Sequence, residues 1–255
     1  MSNGPNPRAT TGVPRLLVSV RSVSEACAAI EGGADIIDIK EPRRGSLGMA
    51  APDVIGAIAE FVRAIQPDIP ISAALGELCE IDRPSTALPV ALSFVKLGLA
   101  GAVRGGDWVA RWEAVRRGVV NWPDWVGVAY ADWPLVDAPP PDEVITVAAD
   151  AGCAGILIDT CRKTSGRLTD FVSRDQLAAW AGRAREGNMF IALAGRIAAG
   201  DLPALAGIPV DVIAVRSAVC PAHQRNGDVS SDLVALFRQE LSECGMAATA
   251  QTQPC

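Results

Sequence analysis

Three lysines are the part of this sequence that most clearly suggests chemistry. Lys40, Lys96 and Lys163 each fall at or just beyond the end of a predicted β-strand, whereas the other twenty basic residues are arginines. A lysine amine can lose its proton, attack a carbonyl group or act as a base, and an arginine guanidinium cannot. The positions therefore favour amine chemistry. A codon bias towards arginine, combined with chance, is the alternative interpretation.

Aspartates accompany the lysines. In the segment DIIDIK, Asp38 and Lys40 lie two residues apart, and in GILIDT and the loop after it Asp159 precedes Lys163 by four. Amines that share a half-dry pocket disfavour each other's protonation, and burial adds to this. A lysine with a lowered pKa can form a Schiff base with an aldehyde or ketone, while nearby aspartates carry protons. Ion pairs formed only for stability are the alternative.

The elements that must hold these side chains form a regular series. Eight short apolar runs alternate with amphipathic segments, and the strands have few alternating polar residues, as in a parallel sheet buried on both faces. This order and length predict an α/β fold, a single (β/α)₈ TIM barrel. An open doubly wound sheet is less well supported, because the turn after the first strand, Arg21-Ser22, has no glycine fingerprint. The predicted strands are residues 16–20, 35–40, 71–75, 94–99, 125–130, 155–160, 190–194 and 212–216. The predicted helices are residues 23–31, 52–65, 84–92, 108–117, 141–151, 174–186, 199–206 and 231–241. The catalytic domain is predicted to span 15–243, between flexible tails at 1–14 and 244–255.

A barrel brings these side chains together. Its active site lies at the carboxyl ends of the strands, and alternate strands contribute to the same interior layer. If Ile37 and Ile39 pack outward on the helices, Asp38 and Lys40 point inward. Strands two, four and six are all even-numbered, so we predict one cavity for the five catalytic candidates. These are Asp38, Lys40, Lys96, Asp159 and Lys163. Glu77, just past the third strand, is a possible extra acid on the rim.

Anion-binding groups are predicted in the loops at the same end of the barrel. Barrels commonly bind phosphate in the loops after strands seven and eight, and arginine forks match phosphate oxygens. The glycine-bearing loop at 41–48 could also hold an anion, although its G-S-L-G sequence suits an ordinary turn as well. For Arg196 and Arg216, pairing with nearby carboxylates is the alternative. The predicted phosphate-binding residues are Ser46, Gly195, Arg196, Arg216 and Ser217.

Composition excludes several functions. The 255 residues are 49% hydrophobic with a net charge of −6, which argues against nucleic-acid binding and requires a local positive pocket for an anionic substrate. No apolar run is long enough to span a membrane. A single histidine, His223, and seven cysteines without a C-x-x-C pair predict no metal site, no disulfide framework and a cytoplasmic location. We expect no cofactor. Exposed barrel surfaces often pair, so a homo-oligomer is an open alternative.

Five motifs together resemble the (5-formylfuran-3-yl)methyl phosphate synthase family. They are DIIDIKEPxxGSLG at 35–48, VKLGL at 95–99, IDTxxK at 158–163, LAG at 193–195 and VRSAxC at 215–220. The resemblance implies a TIM barrel that condenses two molecules of glyceraldehyde 3-phosphate into 4-(hydroxymethyl)-2-furancarboxaldehyde phosphate, a furan precursor of methanofuran-type one-carbon carriers. It also implies that Lys40 is the Schiff-base lysine and Lys96 the proton acceptor, with Asp38, Asp159 and Lys163 completing the site.

Departures from that pattern leave alternatives. Glu41 stands where an amide is common, and the arginine- and alanine-rich composition suggests a GC-rich bacterium, for which the resemblance implies methylotrophy with a related furan carrier. The alternative enzyme is a class I aldolase that acts on another phosphorylated carbonyl compound. The non-catalytic alternative is a sugar-phosphate sensor, but retired enzymes tend to lose their charged residues and this chain keeps them.

Overall fold

Eight parallel strands close into a barrel in the order of the sequence, from β1 to β8 and back to β1. The computed structural model describes residues 12–81, 90–119 and 123–251, with side chains up to Gly245. The strands are β1 Arg15–Val20, β2 Ile36–Ile39, β3 Ile71–Glu77, β4 Phe94–Gly98, β5 Asp124–Tyr130, β6 Gly155–Asp159, β7 Phe190–Leu193 and β8 Val212–Val215. The predicted α/β barrel is therefore confirmed.

Helices cover the outside of this barrel. In the described parts of the chain they are α1 Val23–Glu31, α2 Pro52–Ile65, α3 Trp108–Gly118, α4 Pro141–Asp150, α5 Leu168–Phe171, α6 Arg174–Glu186, α7 Leu202–Leu205 and α8 Ser231–Gln251. Local signals explain the long ones. Ser22 and Ser173 accept backbone N–H groups at the starts of α1 and α6, and Pro52 and Pro141 open α2 and α4. None of the helices described is long and apolar enough to cross a membrane.

The predicted elements differ from the observed ones in four places. Residues 84–89 of the expected helix at 84–92 lie outside the described residues, and 90–92 are not helical. The expected helix at 199–206 is a 3₁₀ turn, Ala199–Asp201, followed by α7, and α5 was not predicted. The closing helix continues past residue 241 as far as Gln251. Residues 1–11 and 252–255 lie outside the described residues, so the flexibility of the two tails stays a prediction.

Alternation along the strands creates two apolar layers. Ile37 and Ile39 belong to the layer between the barrel and its helices, as do Val95, Leu97, Ile156 and Ile158. Phe94 and Leu157 belong to the layer inside the barrel. The outward packing of Ile37 and Ile39 confirms that Asp38 and Lys40 point into the barrel, and a cavity begins where the inner apolar layer ends.

Candidate active site

One cavity at the carboxyl ends of the strands brings together the side chains singled out in the sequence. Each of the five catalytic candidates lines it, and so do Gly195, Arg196, Arg216 and Ser217. Arg225, from the loop after β8, also lines it and was not predicted. Within the cavity the three lysines are held in different ways, which separates their chemistry.

One of the three lysines, Lys96, is paired with Asp38. The Nζ atom of Lys96 donates to the Oδ1 atom of Asp38 at 2.6 Å, and both side chains are buried. The hydroxyl groups of Ser72 and Ser19 donate to the same carboxylate at 2.6 and 3.0 Å. Burial alone would raise the pKa of Asp38, but the charges of Lys96 and Lys40 and these hydrogen bonds hold it below its ordinary value. Asp38 is therefore an ionised carboxylate in contact with the amine of Lys96.

A second pair repeats this arrangement on the other side of the cavity. The Nζ atom of Lys163 donates to the Oδ1 atom of Asp159 at 2.6 Å. The backbone N–H of Thr160 and the hydroxyl of Ser46 add hydrogen bonds of 2.7 and 2.9 Å. Burial again opposes ionisation, but the charges of Lys163 and Lys40 keep the pKa of Asp159 below its ordinary value. Burial also lowers the pKa of Lys163.

Lys40 lies between these pairs without a close carboxylate of its own. It is 8% exposed, and among the described residues its amine takes part in none of the hydrogen bonds or salt bridges. Burial lowers the pKa of Lys40 to about 7, and the positive charge of Arg225 acts in the same direction. Asp38 and Asp159 oppose the shift. A large share of Lys40 is therefore the free amine at neutral pH, and a free amine is a nucleophile.

The loop after β6 carries Lys163 and is tied to its neighbours. The carboxylate of Asp132, at the end of β5, accepts the backbone N–H groups of Cys161 and Arg162 at 2.7 and 2.8 Å. The guanidinium of Arg196 donates to the carbonyl of Lys163 at 2.8 Å. These contacts fix the backbone from which Lys163 reaches Asp159.

Gly195 lets two loops pack closely at the mouth. Its φ of +104° is a conformation that L side chains rarely adopt, and an added Cβ would press on Leu168 of α5 and on Thr160. Its carbonyl accepts the N–H of Leu168 at 2.9 Å. Gly195 thus joins the loops after β6 and β7 while its backbone lines the cavity. Ser217 also lines the cavity, and the phosphate-binding roles of Gly195, Arg196 and Ser217 stay predictions.

Two predicted phosphate ligands need correction. The hydroxyl of Ser46 is buried and donates to Asp159 and to the carbonyl of Thr160, so Ser46 supports a carboxylate instead of facing an anion. The guanidinium of Arg216 forms a bidentate pair with Glu25 of α1, at 2.8 and 3.0 Å. Its remaining N–H groups donate to the carbonyls of Ser19, Arg225 and Gly227. All five donors of Arg216 are used within the protein.

An acid with an unusual environment lies beside the cavity. The carboxylate of Glu77 accepts the hydroxyl of Tyr130 at 2.6 Å and the backbone N–H of Ala100 at 2.9 Å, and it occupies the space that a side chain at Gly98 would need. Burial raises the pKa of Glu77 to about 7. The expected rim acid is thus buried and does not line the cavity itself.

The cavity combines a free amine, two lysine–carboxylate pairs and arginine at its mouth. This set can capture a carbonyl group, move protons on either side of it and attract an anion. In the part of the chain that the structure describes, no group of three or more His, Cys, Asp or Glu side chains could hold a metal ion.

The fold and site define a (β/α)₈ barrel with a lysine-lined cavity at the carboxyl ends of its strands, and comparisons with known proteins narrow this class. Residues 16–238 match the family model described as 4-HFC-P synthase. The (5-formylfuran-3-yl)methyl phosphate synthase of Methanopyrus kandleri is 34% identical, covering 90% of this chain and 99% of that protein. The synthase of the same name from Methanocaldococcus jannaschii is 37% identical, covering 88% and 98%. The chain therefore belongs to the 4-HFC-P synthase family.

Solved structures agree on the architecture. Phosphoribosyl anthranilate isomerase from Thermus thermophilus superposes with a TM-score of 0.59 at 20% identity, covering 90% of this chain and 98% of that one. The Streptococcus mutans protein KGPDC, solved with D-R5P, gives a TM-score of 0.57 at 15% identity, covering 91% and 98%. At these identities the likeness concerns the fold alone.

Proposed function

We propose that this protein is a (5-formylfuran-3-yl)methyl phosphate synthase, a carbon–oxygen lyase that condenses two molecules of glyceraldehyde 3-phosphate. The observation that carries the proposal is Lys40, a buried amine with a pKa of about 7 between two lysine–aspartate pairs. Membership of the family, over nearly the whole barrel, supports it. The proposed setting is the cytoplasm of a methylotroph that makes a methanofuran-type one-carbon carrier.

The first steps use the three lysines differently. The Nζ atom of Lys40 attacks the carbonyl carbon of one triose phosphate, and the carbinolamine loses water to give an imine. Lys96, in contact with Asp38, then passes a proton to the imine nitrogen and, as a free amine, accepts the proton that leaves the adjacent carbon. The resulting enamine has a nucleophilic carbon within the cavity.

The later steps join the trioses. The enamine carbon attacks the aldehyde of the second triose phosphate, and the new oxygen is protonated by the Lys163–Asp159 pair. Eliminations then remove one phosphate and water, the ring closes, and hydrolysis of the imine frees Lys40. All carbon atoms of both trioses stay in the furan, and elimination needs no oxidant or reductant, which agrees with a site built from amines and carboxylates.

Product identification from one substrate tests the proposal. The purified protein is incubated with glyceraldehyde 3-phosphate alone, and the mixture is followed by ultraviolet absorption and mass spectrometry. We expect the absorption of a conjugated furan aldehyde and a phosphorylated furan product. Reversible triose addition or cleavage without that chromophore would identify a plain class I aldolase, and saturable binding without turnover would identify a sugar-phosphate sensor. Either result contradicts the synthase.

A further inference from the structure

Arg216 and Arg225 lie nine residues apart at the end of β8 and face different partners. The guanidinium of Arg216 is buried and saturated by Glu25 and by backbone carbonyls. The guanidinium of Arg225 lines the cavity, and it makes one hydrogen bond with the described residues, from Nη2 to the carbonyl of Gly45 at 2.8 Å. Most donors of Arg225 therefore remain available to something inside the cavity.

Arg216 holds Arg225 in that position. Its Nε and Nη2 atoms donate to the carbonyls of Arg225 and Gly227 at 2.7 and 3.0 Å, while the bidentate contact to Glu25 fixes Arg216 against α1. The loop after β8 is thereby fastened to the barrel at the residue whose side chain turns inward. The contact with Gly45 joins the same side chain to the loop after β2, across the mouth of the cavity.

The surroundings of Arg225 lack a compensating carboxylate in direct contact. No salt bridge of Arg225 occurs among the described residues, although it is half-buried and its charge is felt by Lys40 and Lys163. A half-buried guanidinium is costly unless an anion meets it. The substrates of the proposed reaction carry phosphate groups, and guanidinium forks bind phosphate through paired hydrogen bonds.

We propose that Arg225 binds the phosphate group of the triose that Lys40 captures, and that Arg216 and Glu25 are positioning residues that hold Arg225 for this task. The inference rests on the proposed function and corrects the earlier expectation that Arg216 binds phosphate. It makes the loop after β8 the part of the site that selects a phosphorylated aldehyde over an unphosphorylated one.

Capture of two aldehydes tests this selection. Borohydride reduces the Lys40 imine to a stable secondary amine, which mass spectrometry can count after exposure to glyceraldehyde 3-phosphate or to glyceraldehyde. Both aldehydes require the same free amine, so the ratio of their half-saturating concentrations isolates the phosphate contact. We expect Arg225→Gln to lower the preference for the phosphorylated aldehyde by about tenfold or more, the usual effect of losing a charge-assisted hydrogen bond. Arg225→Lys should keep part of it. Arg117→Gln, which removes an exposed arginine of α3 on the outside of the barrel, is the matched control and should keep the wild-type ratio.

A second measurement is independent of imine formation. Inorganic phosphate is titrated calorimetrically into the wild type, Arg225→Gln and Arg117→Gln, after circular dichroism has confirmed that each is folded. We expect Arg225→Gln alone to bind phosphate at least about tenfold more weakly. A wild-type capture ratio or a wild-type phosphate affinity in Arg225→Gln would overturn the inference. If the wild type captures neither aldehyde, the proposed function fails, and phosphate titration still decides the role of Arg225.

Discussion

Lys96 and Lys163 are each 2.6 Å from an aspartate that serine hydroxyls also support. Lys40 lies between these two pairs and has no hydrogen-bond or salt-bridge partner for its amine within the described residues. A carboxylate in contact favours the charged form of a lysine, whereas burial without such a contact favours the free amine. The site therefore divides two tasks among residues of one type. The pairs can store and move protons while the isolated amine attacks.

Replacing the isolated amine should have the largest effect. Lys40→Arg keeps a positive charge but cannot form an imine, so we expect product formation to fall by at least about a thousandfold. Initial rates of furan formation from glyceraldehyde 3-phosphate measure this loss. Borohydride with substrate should label wild-type Lys40 and leave the variant unlabelled. Full activity of Lys40→Arg, or a label on Lys96 instead, would refute the assignment.

Replacing a paired amine should separate capture from later chemistry. In Lys96→Arg the ion pair with Asp38 can persist, but the proposed proton acceptor is lost, so we expect a roughly hundredfold slower reaction with imine capture at Lys40 retained. Lys163→Arg is the matched comparison on the other pair. Trapping and product formation are measured on the same samples. Loss of trapping in Lys96→Arg would mean that Lys96, not Lys40, governs the first step.

The convergence of these residues could be predicted because it follows from period and topology. A closed barrel needs outward Ile37 and Ile39, and alternation then turns Asp38 and Lys40 inward; the same argument covers Lys96 and Asp159. No pattern within a strand states which lysine lacks a partner. That difference depends on Ångström-scale distances between side chains from β2, β4 and the loop after β6.

The partner of Arg216 and the position of Arg225 in the cavity could not be predicted from local sequence patterns. Arg216 sits at the end of β8, where phosphate ligands are common, but its partner Glu25 lies on α1, distant in sequence, and no local signal joins them. Arg225 lies in an irregular polar stretch without periodicity, so no sequence pattern identifies it. The signal that could have found Arg225 is topological, because the loop after β8 lies at the mouth of the barrel.

Stability should respond with opposite signs at the two kinds of lysine. Lys40→Met removes a buried amine whose pKa is about 7 against an ordinary 10.5, so we expect it to stabilise the protein at pH 7 by on the order of 2 kcal/mol. Lys96→Met strands the buried carboxylate of Asp38 and should destabilise by about 3 kcal/mol. Urea unfolding measures both. Equal losses in both variants would remove the distinction between paired and isolated lysines.

The stability contribution of Lys40 should also depend on pH. Between pH 7 and about 10 the unfolded chain binds a proton that folded Lys40 lacks, so this contribution rises with pH across that range in the wild type. Lys40→Met should not show this rise.

The pH dependence of imine capture tests the difference between Lys40 and the two paired lysines, and its expected effect is the smallest. Lys40 must be unprotonated to attack, so the capture rate of glyceraldehyde should rise about tenfold per pH unit below pH 7 and level off above it. Using the unphosphorylated aldehyde removes the titration of the substrate phosphate.

Variants of Arg225 and Glu77 identify the group whose titration produces the rise in capture rate below pH 7, which we call the pH limb. Burial is the main cause of the low pKa of Lys40 and the charge of Arg225 is the second, so in Arg225→Gln the limb should move to higher pH, while Arg225→Lys should leave it nearly unchanged. Glu77 also has a pKa of about 7, and Glu77→Gln separates it from Lys40. If the limb stays in Glu77→Gln and moves in Arg225→Gln, the titrating group is the isolated lysine. If it disappears in Glu77→Gln, the acid beside Tyr130 controls capture, and the contrast between Lys40 and the paired lysines is not what sets the rate.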